Sequence, residues 1–173
     1  MGSPASVRLF IALWPPDPVR DAIAVWQSQW QWPQKANVVK PDRLHVTLHF
    51  LGEVPPERIL DLKYVLQPIR AQHFDLHFVR HEMWPHGMAV VRPENSPTPL
   101  RGLHGRISLA LAEIGLTTEE RTYRPHVTLA RRAADAVPPA QAPDVMWQAR
   151  DGFVLVQTLS GGRGYEILER FGA

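Results

Sequence analysis

The tetrapeptide His-Val-Thr-Leu occurs twice in this 173-residue chain, as His45-Val46-Thr47-Leu48 and as His126-Val127-Thr128-Leu129. No other feature restricts the fold as far. Val, Thr and Leu favour extended backbone, and along a strand successive side chains point to opposite faces. His45 and Thr47 therefore share one face, with Val46 and Leu48 on the other, and His126 and Thr128 stand opposite Val127 and Leu129 in the same way. Each copy reads as a half-buried strand that anchors itself with Val and Leu and offers one imidazole and one hydroxyl on its open side. Two such strands facing each other place two histidines and two hydroxyls around one ligand. The copies lie nearly half the chain apart. A strand-and-helix unit used twice, in two lobes around a groove, accounts for that spacing, although outside the motif the halves are not visibly alike.

The constellation suits a tetrahedral anion undergoing displacement. In-line attack at phosphorus needs a proton removed from the nucleophile on one side and a proton delivered to the leaving oxygen on the other. One histidine cannot do both at once, whereas two imidazoles with ordinary pKa values near 6.5 can divide the roles of base and acid at neutral pH. Threonine hydroxyls can donate to the non-bridging oxygens where charge accumulates. Arg131 and Arg132 directly follow the second motif and offer permanently charged, forked donors. Strict alternation turns Arg131 away from the face of His126 and Thr128; a strand end or a bulge at Ala130 removes the conflict.

Other site chemistries find less support. The chain has no cysteine, which excludes disulfides, thiolate nucleophiles and cysteine-based zinc sites. Eight histidines raise the question of a metal, but His45 and His49 would lie about 13 Å apart along one strand face, and His73 and His77 likewise. No metal and no cofactor are expected. His49, His73, His77, His81, His86 and His104 read as surface or structural residues. There is no phosphate-binding Gly-x-x-x-x-Gly-Lys-Ser/Thr loop, and Gly161-Gly162-Arg163-Gly164 reads as a hairpin turn.

A net charge of +2 permits an anionic partner without demanding one, and 16 arginines against 3 lysines fit a compositional bias as well as phosphate recognition. A hydrophobic fraction of 45% with 21% charged residues indicates one globular domain over residues 1–173. No apolar run has the length of a membrane span and no signal-peptide pattern opens the chain, so the cytoplasm is the expected compartment and a monomer the expected state.

The expected elements alternate. Residues 7–13 form a strand, and Pro16-Asp17-Pro18 opens a helix that buries Ile23, Trp26 and Trp30. The first motif strand, 43–51, ends at Gly52. Pro55-Pro56-Glu57 starts a second helix with Ile59, Leu60, Leu62, Tyr64 and Leu66 on its apolar positions. Residues 74–79 and 88–91 pair around the Trp84-Pro85-His86-Gly87 turn. Residues 99–114 are helical, with Leu100, Leu103, Ile107 and Leu111 at helical spacing and Gly115 as the stop. After the second motif come a proline-rich loop over 134–144 and two closing strands, 153–156 and 165–171.

Taken together, the Arg8-Leu9-Phe10-Ile11-Ala12-Leu13 strand, the segment from Leu44 through His45-Val46-Thr47-Leu48 to Gly52, and Pro125-His126-Val127-Thr128-Leu129-Ala130-Arg131 resemble the two-histidine (2H) phosphoesterase superfamily. Within it the resemblance is to the RNA 2',3'-cyclic phosphodiesterases, also called 2'-5' RNA ligases. It spans nearly the whole chain, with Thr158 where the family usually has a serine. It implies an α+β fold of two similar lobes of antiparallel sheet with outer helices, related by a pseudo-two-fold around a central groove. It further implies metal-independent opening of RNA 2',3'-cyclic phosphate ends to 2'-phosphomonoesters, with His126 as base, His45 as acid, and Thr47, Thr128 and Arg131 on the phosphate. ATP-independent, reversible 2'-5' ligation belongs to the same resemblance. Phe10 and Tyr123 are expected to stack on a base beside the phosphate. Two alternatives stand beside this reading: a phosphodiesterase for small cyclic nucleotides, ADP-ribose cyclic phosphate or 2'-5' oligonucleotides, and a non-catalytic RNA-end binding module.

Overall fold

The computed structural model describes residues 5–119 and 121–173. Among these residues nine strands, β1 (Val7–Leu13), β2 (Asn37–Val38), β3 (Val46–Val54), β4 (Phe74–Trp84), β5 (Met88–Pro93), β6 (Val127–Arg131), β7 (Val145–Ala149), β8 (Phe153–Thr158) and β9 (Tyr165–Phe171), combine with three α-helices, α1 (Asp17–Gln27), α2 (Ile59–Leu66) and α3 (Thr98–Glu113). Every strand pairing is antiparallel, in the order β7-β4-β5-β6-β3-β1-β8-β9, with the short β2 on β6. The order reads as two four-stranded lobes meeting back to back. Their only ladder contact among the described residues is one pair, Val46 with Val127.

That pair carries the second residue of each motif, so the pseudo-two-fold runs through the repeat itself. In antiparallel register it sets His45 opposite Thr128 and Thr47 opposite His126, all on one face. Val46, Leu48, Val127 and Leu129 go to the other face, where at most 3% of each remains exposed. There they join one core with Leu9, Ile11 and Leu13 of β1, Ile23 and Trp26 of α1, Leu62 and Leu66 of α2, and Leu100, Leu103, Ile107 and Leu111 of α3. The helices thus cover one side of the sheet and leave the motif face as the groove.

The lobes also share an irregularity. Ile11 and Ala12 of β1 pair with His49 and Thr47, so Leu48 is an extra residue in β3. Ala89 and Val90 of β5 pair with Ala130 and Thr128, so Leu129 is an extra residue in β6. Both bulges fall on the fourth motif residue. A bulge reverses the alternation beyond it. His49 and Ala130 accordingly stay buried beside Leu48 and Leu129, while Phe50 and Arg131, each five positions after a motif histidine, emerge on the groove side. The sequence-based conflict over Arg131 is resolved here, one residue earlier than expected.

The structure departs from the expected elements at several points. α1 ends at Gln27, and Trp30 is buried from the following turn, stacked on Trp32 at 4.7 Å. In α2 only Leu62 and Leu66 are buried; Leu60 and Tyr64 point outward. The strand pair is longer than expected because β4 runs through to Trp84. β7 is an additional edge strand on β4, with Val145, Trp147 and Ala149 buried and Met146 and Gln148 exposed. Gly161 and Gly162, both at positive φ, do lie in the β8–β9 connection. Among the described residues no helix is long and apolar enough to cross a membrane.

Candidate active site

Each motif histidine immediately precedes its strand and is held in the same way. The Nδ1 atom of His45 lies 2.7 Å from the Arg43 carbonyl, and that of His126 lies 2.8 Å from the Arg124 carbonyl. A carbonyl accepts only, so each Nδ1 carries the proton and each Nε2 presents its lone pair to the groove. On His45 that Nε2 accepts from the Thr47 hydroxyl at 3.0 Å. Thr128 donates to the Met88 sulfur at 3.7 Å, a weak contact that leaves its hydroxyl easily redirected.

Both imidazoles are held below the ordinary histidine range. Burial is the main cause for His45, lowered to about 4, with His126 and Arg131 adding repulsion and the Arg43 carbonyl opposing. Burial also dominates at His126, joined by the charges of Arg92, Arg124 and Arg131 and opposed by the Arg124 carbonyl. Arg131 therefore acts on both imidazoles from the end of β6, where Asn37 pairs with it. In the unliganded protein both rings are neutral at pH 7, in a field that favours an anion between them.

The surroundings of the two rings differ. His45 stacks on Phe10 (4.9 Å between centroids, 26° between planes) and on Trp14 (5.2 Å, 11°), with Tyr165 edge-on at 5.4 Å. Phe10, Ala12, Val154 and Val156 form a small second apolar cluster, with Trp14, Tyr165 and Ile167 against it. His126 instead meets Trp84 at 4.3 Å, and the Arg124 guanidinium lies 4.6 Å above that indole. Glu82 accepts from Arg92 at 3.0 Å and from Arg124 at 3.5 Å, which holds the basic cluster in place. One wall of the groove is aromatic and the other is basic.

The sequence-selected residues sort as follows. His45, Thr47, His126, Thr128 and Arg131 come together around the Val46–Val127 pair. Phe10 is almost fully buried and lays its ring on the His45 imidazole, so it supports the histidine where contact with a base was expected. Tyr123 donates its hydroxyl to the Thr47 carbonyl at 2.9 Å and stacks on His104 at 4.2 Å, which in turn stacks on His49 at 4.0 Å. Its position is that of a brace behind the motif strand. Sequence reasoning missed Trp14, Tyr165 and Trp84. Trp14 was within reach, since it continues the parity of Phe10 and Ala12; the other two depend on strand register. Among the described residues no three His, Asp or Glu side chains gather in a group that would hold a metal ion.

An antiparallel sheet folded about a pseudo-two-fold, with a histidine and a threonine from each half on one groove, defines the class of the two-histidine phosphoesterases. The family model of the 2'-5' RNA ligase superfamily matches residues 15–156, and the chain belongs to that superfamily. The RNA 2',3'-cyclic phosphodiesterase of Escherichia coli (strain K12) is 33% identical over 131 residues, 75% of this chain and 74% of that protein. The RNA 2',3'-cyclic phosphodiesterase of Thermus thermophilus is 31% identical over 179 residues, 95% of this chain and 89% of that protein. A crystal structure of E. coli LigT complexed with 3'-AMP has a TM-score of 0.80 at 29% identity and covers 96% of this chain and 97% of that one.

Proposed function

We propose that this protein hydrolyses RNA 2',3'-cyclic phosphodiester ends to 2'-phosphomonoesters by paired-histidine catalysis. Three relatives named RNA 2',3'-cyclic phosphodiesterase support the cyclic phosphodiester as substrate. The observation that carries the mechanism is the Val46–Val127 pair, which brings two identically tethered imidazoles to one face of the sheet, each turning an unprotonated Nε2 to the groove, that of His45 accepting from Thr47.

The neutral resting state fits this chemistry once substrate charge is included. An anionic phosphodiester between the rings favours their charged forms, and the imidazole that takes up a proton becomes the acid. Following the family assignment, His126 Nε2 removes a proton from water as the water oxygen bonds to phosphorus. The P–O3' bond then breaks, and O3' takes the proton from His45 Nε2. Thr47, Thr128 and Arg131 stabilise the charge on the non-bridging oxygens through donors fixed before the reaction begins. The cycle ends with the proton on His126 and none on His45, so a proton must return before the next turnover. With the 5'-hydroxyl of a second RNA end in place of water, the same groups support ligation without ATP: the 5' oxygen gives its proton to His126 and bonds to phosphorus, the P–O3' bond breaks, O3' takes the proton from His45, and a 2'-5' phosphodiester remains.

The test uses adenosine 2',3'-cyclic phosphate in EDTA, with the product isomer identified. The expected product is adenosine 2'-phosphate, formed with a bell-shaped dependence on pH. His45→Ala and His126→Ala should each lower kcat by about 10²- to 10⁴-fold while substrate still binds, and the double variant should be little worse than either. Loss of turnover in EDTA with rescue by a divalent ion, or a single histidine variant within a few-fold of the parent, would overturn the mechanism.

A further inference from the structure

Neither motif histidine lies inside a strand ladder, since β3 begins at Val46 and β6 at Val127. Each ring is tethered instead to the carbonyl of the residue two positions earlier, and in both lobes that residue is an arginine, Arg43 or Arg124. The repeat therefore extends to Arg-x-His-Val-Thr-Leu, with the middle residue, Leu44 or Pro125, buried on the core face. By alternation each arginine shares the groove face of its histidine. A tether of this kind holds a ring only as firmly as its carbonyl is held. Arg43 closes a short 3₁₀ turn and Arg124 lies in a segment without regular structure, so a strand ladder fixes neither carbonyl.

The arginine side chains supply what the ladders do not. Arg43 donates to the Gly162 carbonyl in the β8–β9 connection at 3.0 Å. Its guanidinium also packs so closely on Gly164 that a Cβ there would stand 3.2 Å from Nε, and that Nε is buried without an acceptor. The residue after Gly164 is Tyr165, whose ring stands edge-on to His45 at 5.4 Å. In the other lobe the Arg124 guanidinium lies 4.6 Å above the Trp84 indole, Glu82 accepts from it at 3.5 Å, and Trp84 lies 4.3 Å from the His126 ring. Each arginine thus joins two contacts of one imidazole: its carbonyl holds Nδ1, and its guanidinium secures the aromatic against that ring or the turn that carries it. The partners are unlike, a glycine turn in one lobe and an indole in the other, and only the outcome is shared.

We infer that Arg43 and Arg124 are positioning residues, which keep the Nε2 atoms of His45 and His126 aimed into the groove by locking each tethering carbonyl to the aromatic packed on the same ring. A ring released from its carbonyl can turn about its side-chain bonds or carry its proton on Nε2, and either change takes the lone pair out of the groove. Proton transfer needs that atom within hydrogen-bond reach of the group it serves, so a small misplacement lowers the rate far more than it weakens binding. The kinetic consequence rests on the hydrolytic reading above, whereas the geometric one does not.

The test observes the two histidines separately. Nitrogen-15 spectra of the imidazoles at pH 8 report which ring nitrogen carries the proton, and at that pH both rings are neutral, so losing an arginine's charge cannot change their protonation. The parent should show both rings protonated on Nδ1. Arg43→Met should turn His45 into a mixture of tautomers and leave His126 as it was, and Arg124→Met should do the reverse. With adenosine 2',3'-cyclic phosphate as substrate, Arg43→Met should lower kcat about ten- to hundred-fold with KM little changed. Arg43→Lys keeps a donor for the Gly162 carbonyl and should recover most of that loss. A folded Arg43→Met protein with unchanged His45 tautomer and kcat, or variants in which both histidines change alike, would overturn the inference. Were one variant not to fold, the other decides by the same crossed comparison. Absence of turnover by the parent would count against the hydrolytic reading alone, and the spectra would still decide the positioning role.

Discussion

At the scale of single residues, the candidate site is braced by groups that lie behind the motif strands. Tyr123 reaches across the lobe boundary, from the segment before β6 to the Thr47 carbonyl in β3, and burial raises its hydroxyl pKa so that it stays a donor. Removing that hydroxyl leaves the Thr47 carbonyl, two residues from His45, without this partner. Tyr123→Phe should therefore cost about 1–2 kcal/mol of stability, measured by denaturant unfolding. It should lower kcat several-fold through His45 and Thr47 while leaving KM for the cyclic substrate nearly unchanged. A variant with unchanged kcat would show that the brace is purely structural. None of this was legible from the motif: Tyr123 stood out only for preceding it, and its partner is set by a contact between lobes.

At the scale of elements, the bulges decide which side chains enter the groove, and each is supported from the core side. The Leu129 carbonyl accepts from the Val39 amide at 2.9 Å and from Gln27 Nε2 at 2.9 Å, while the same Gln27 nitrogen bonds the Val39 carbonyl. In the other lobe the Leu48 carbonyl meets the His104 imidazole. Gln27 is one of only two buried polar or charged residues among those described, the other being His49, and its amide satisfies polar groups freed by the irregular backbone. Gln27→Leu should therefore destabilise the protein by about 1–3 kcal/mol. Because Arg131 emerges just beyond this bulge, phosphate affinity should fall as well, measured by calorimetric titration; a destabilised variant with unchanged phosphate affinity would separate the bulge from the position of Arg131. Here the limit of sequence reading is physical. Period-two alternation identified the motif strands, the first and last strands and the reverse-face Val and Leu, because those follow from local backbone geometry. The bulge positions, the extension of β4 and edge strand β7 depend on which strand lies alongside, and helical spacing in α2 did not reveal that Leu60 and Tyr64 lack a surface to cover.

At the scale of the whole molecule, the site and the stack behind it make the fold sensitive to acid. Burial holds His45 and His104 down to about 4, with His126 and Arg131 adding to it at His45 and His49 at His104; His49 and His126 are also lowered mainly by burial. Each binds a proton more readily in the unfolded chain, where its pKa is near 6.5. Their contribution to stability is thus fully present above pH 6.5 and is lost as pH falls through the folded values toward 4. For His45 alone the loss is of order 3 kcal/mol. Carboxylates titrate in the unfolded chain mostly below pH 4.5, and Glu82, held down by Arg92 and Arg124 against the opposing effect of burial, follows that later course. The interval from pH 6.5 to 4.5 therefore isolates the histidines. Over it the thermal midpoint should fall steadily, while from pH 7 to 8 it should stay nearly level. His104→Phe keeps an aromatic ring between His49 and Tyr123 without the titration, so it should flatten part of that slope. Inorganic phosphate should raise the midpoint more at pH 5.5 than at pH 8, because an anion between His45 and His126 is bound more tightly when either ring can take up a proton. Calorimetric titration of phosphate at pH 6.5 in two buffers of different ionisation enthalpy should accordingly show proton uptake. A midpoint that is level between pH 6.5 and 4.5, or phosphate binding without proton uptake, would mean that the imidazoles are not held neutral in the free protein, and the anion-induced acid of the mechanism would lose its basis.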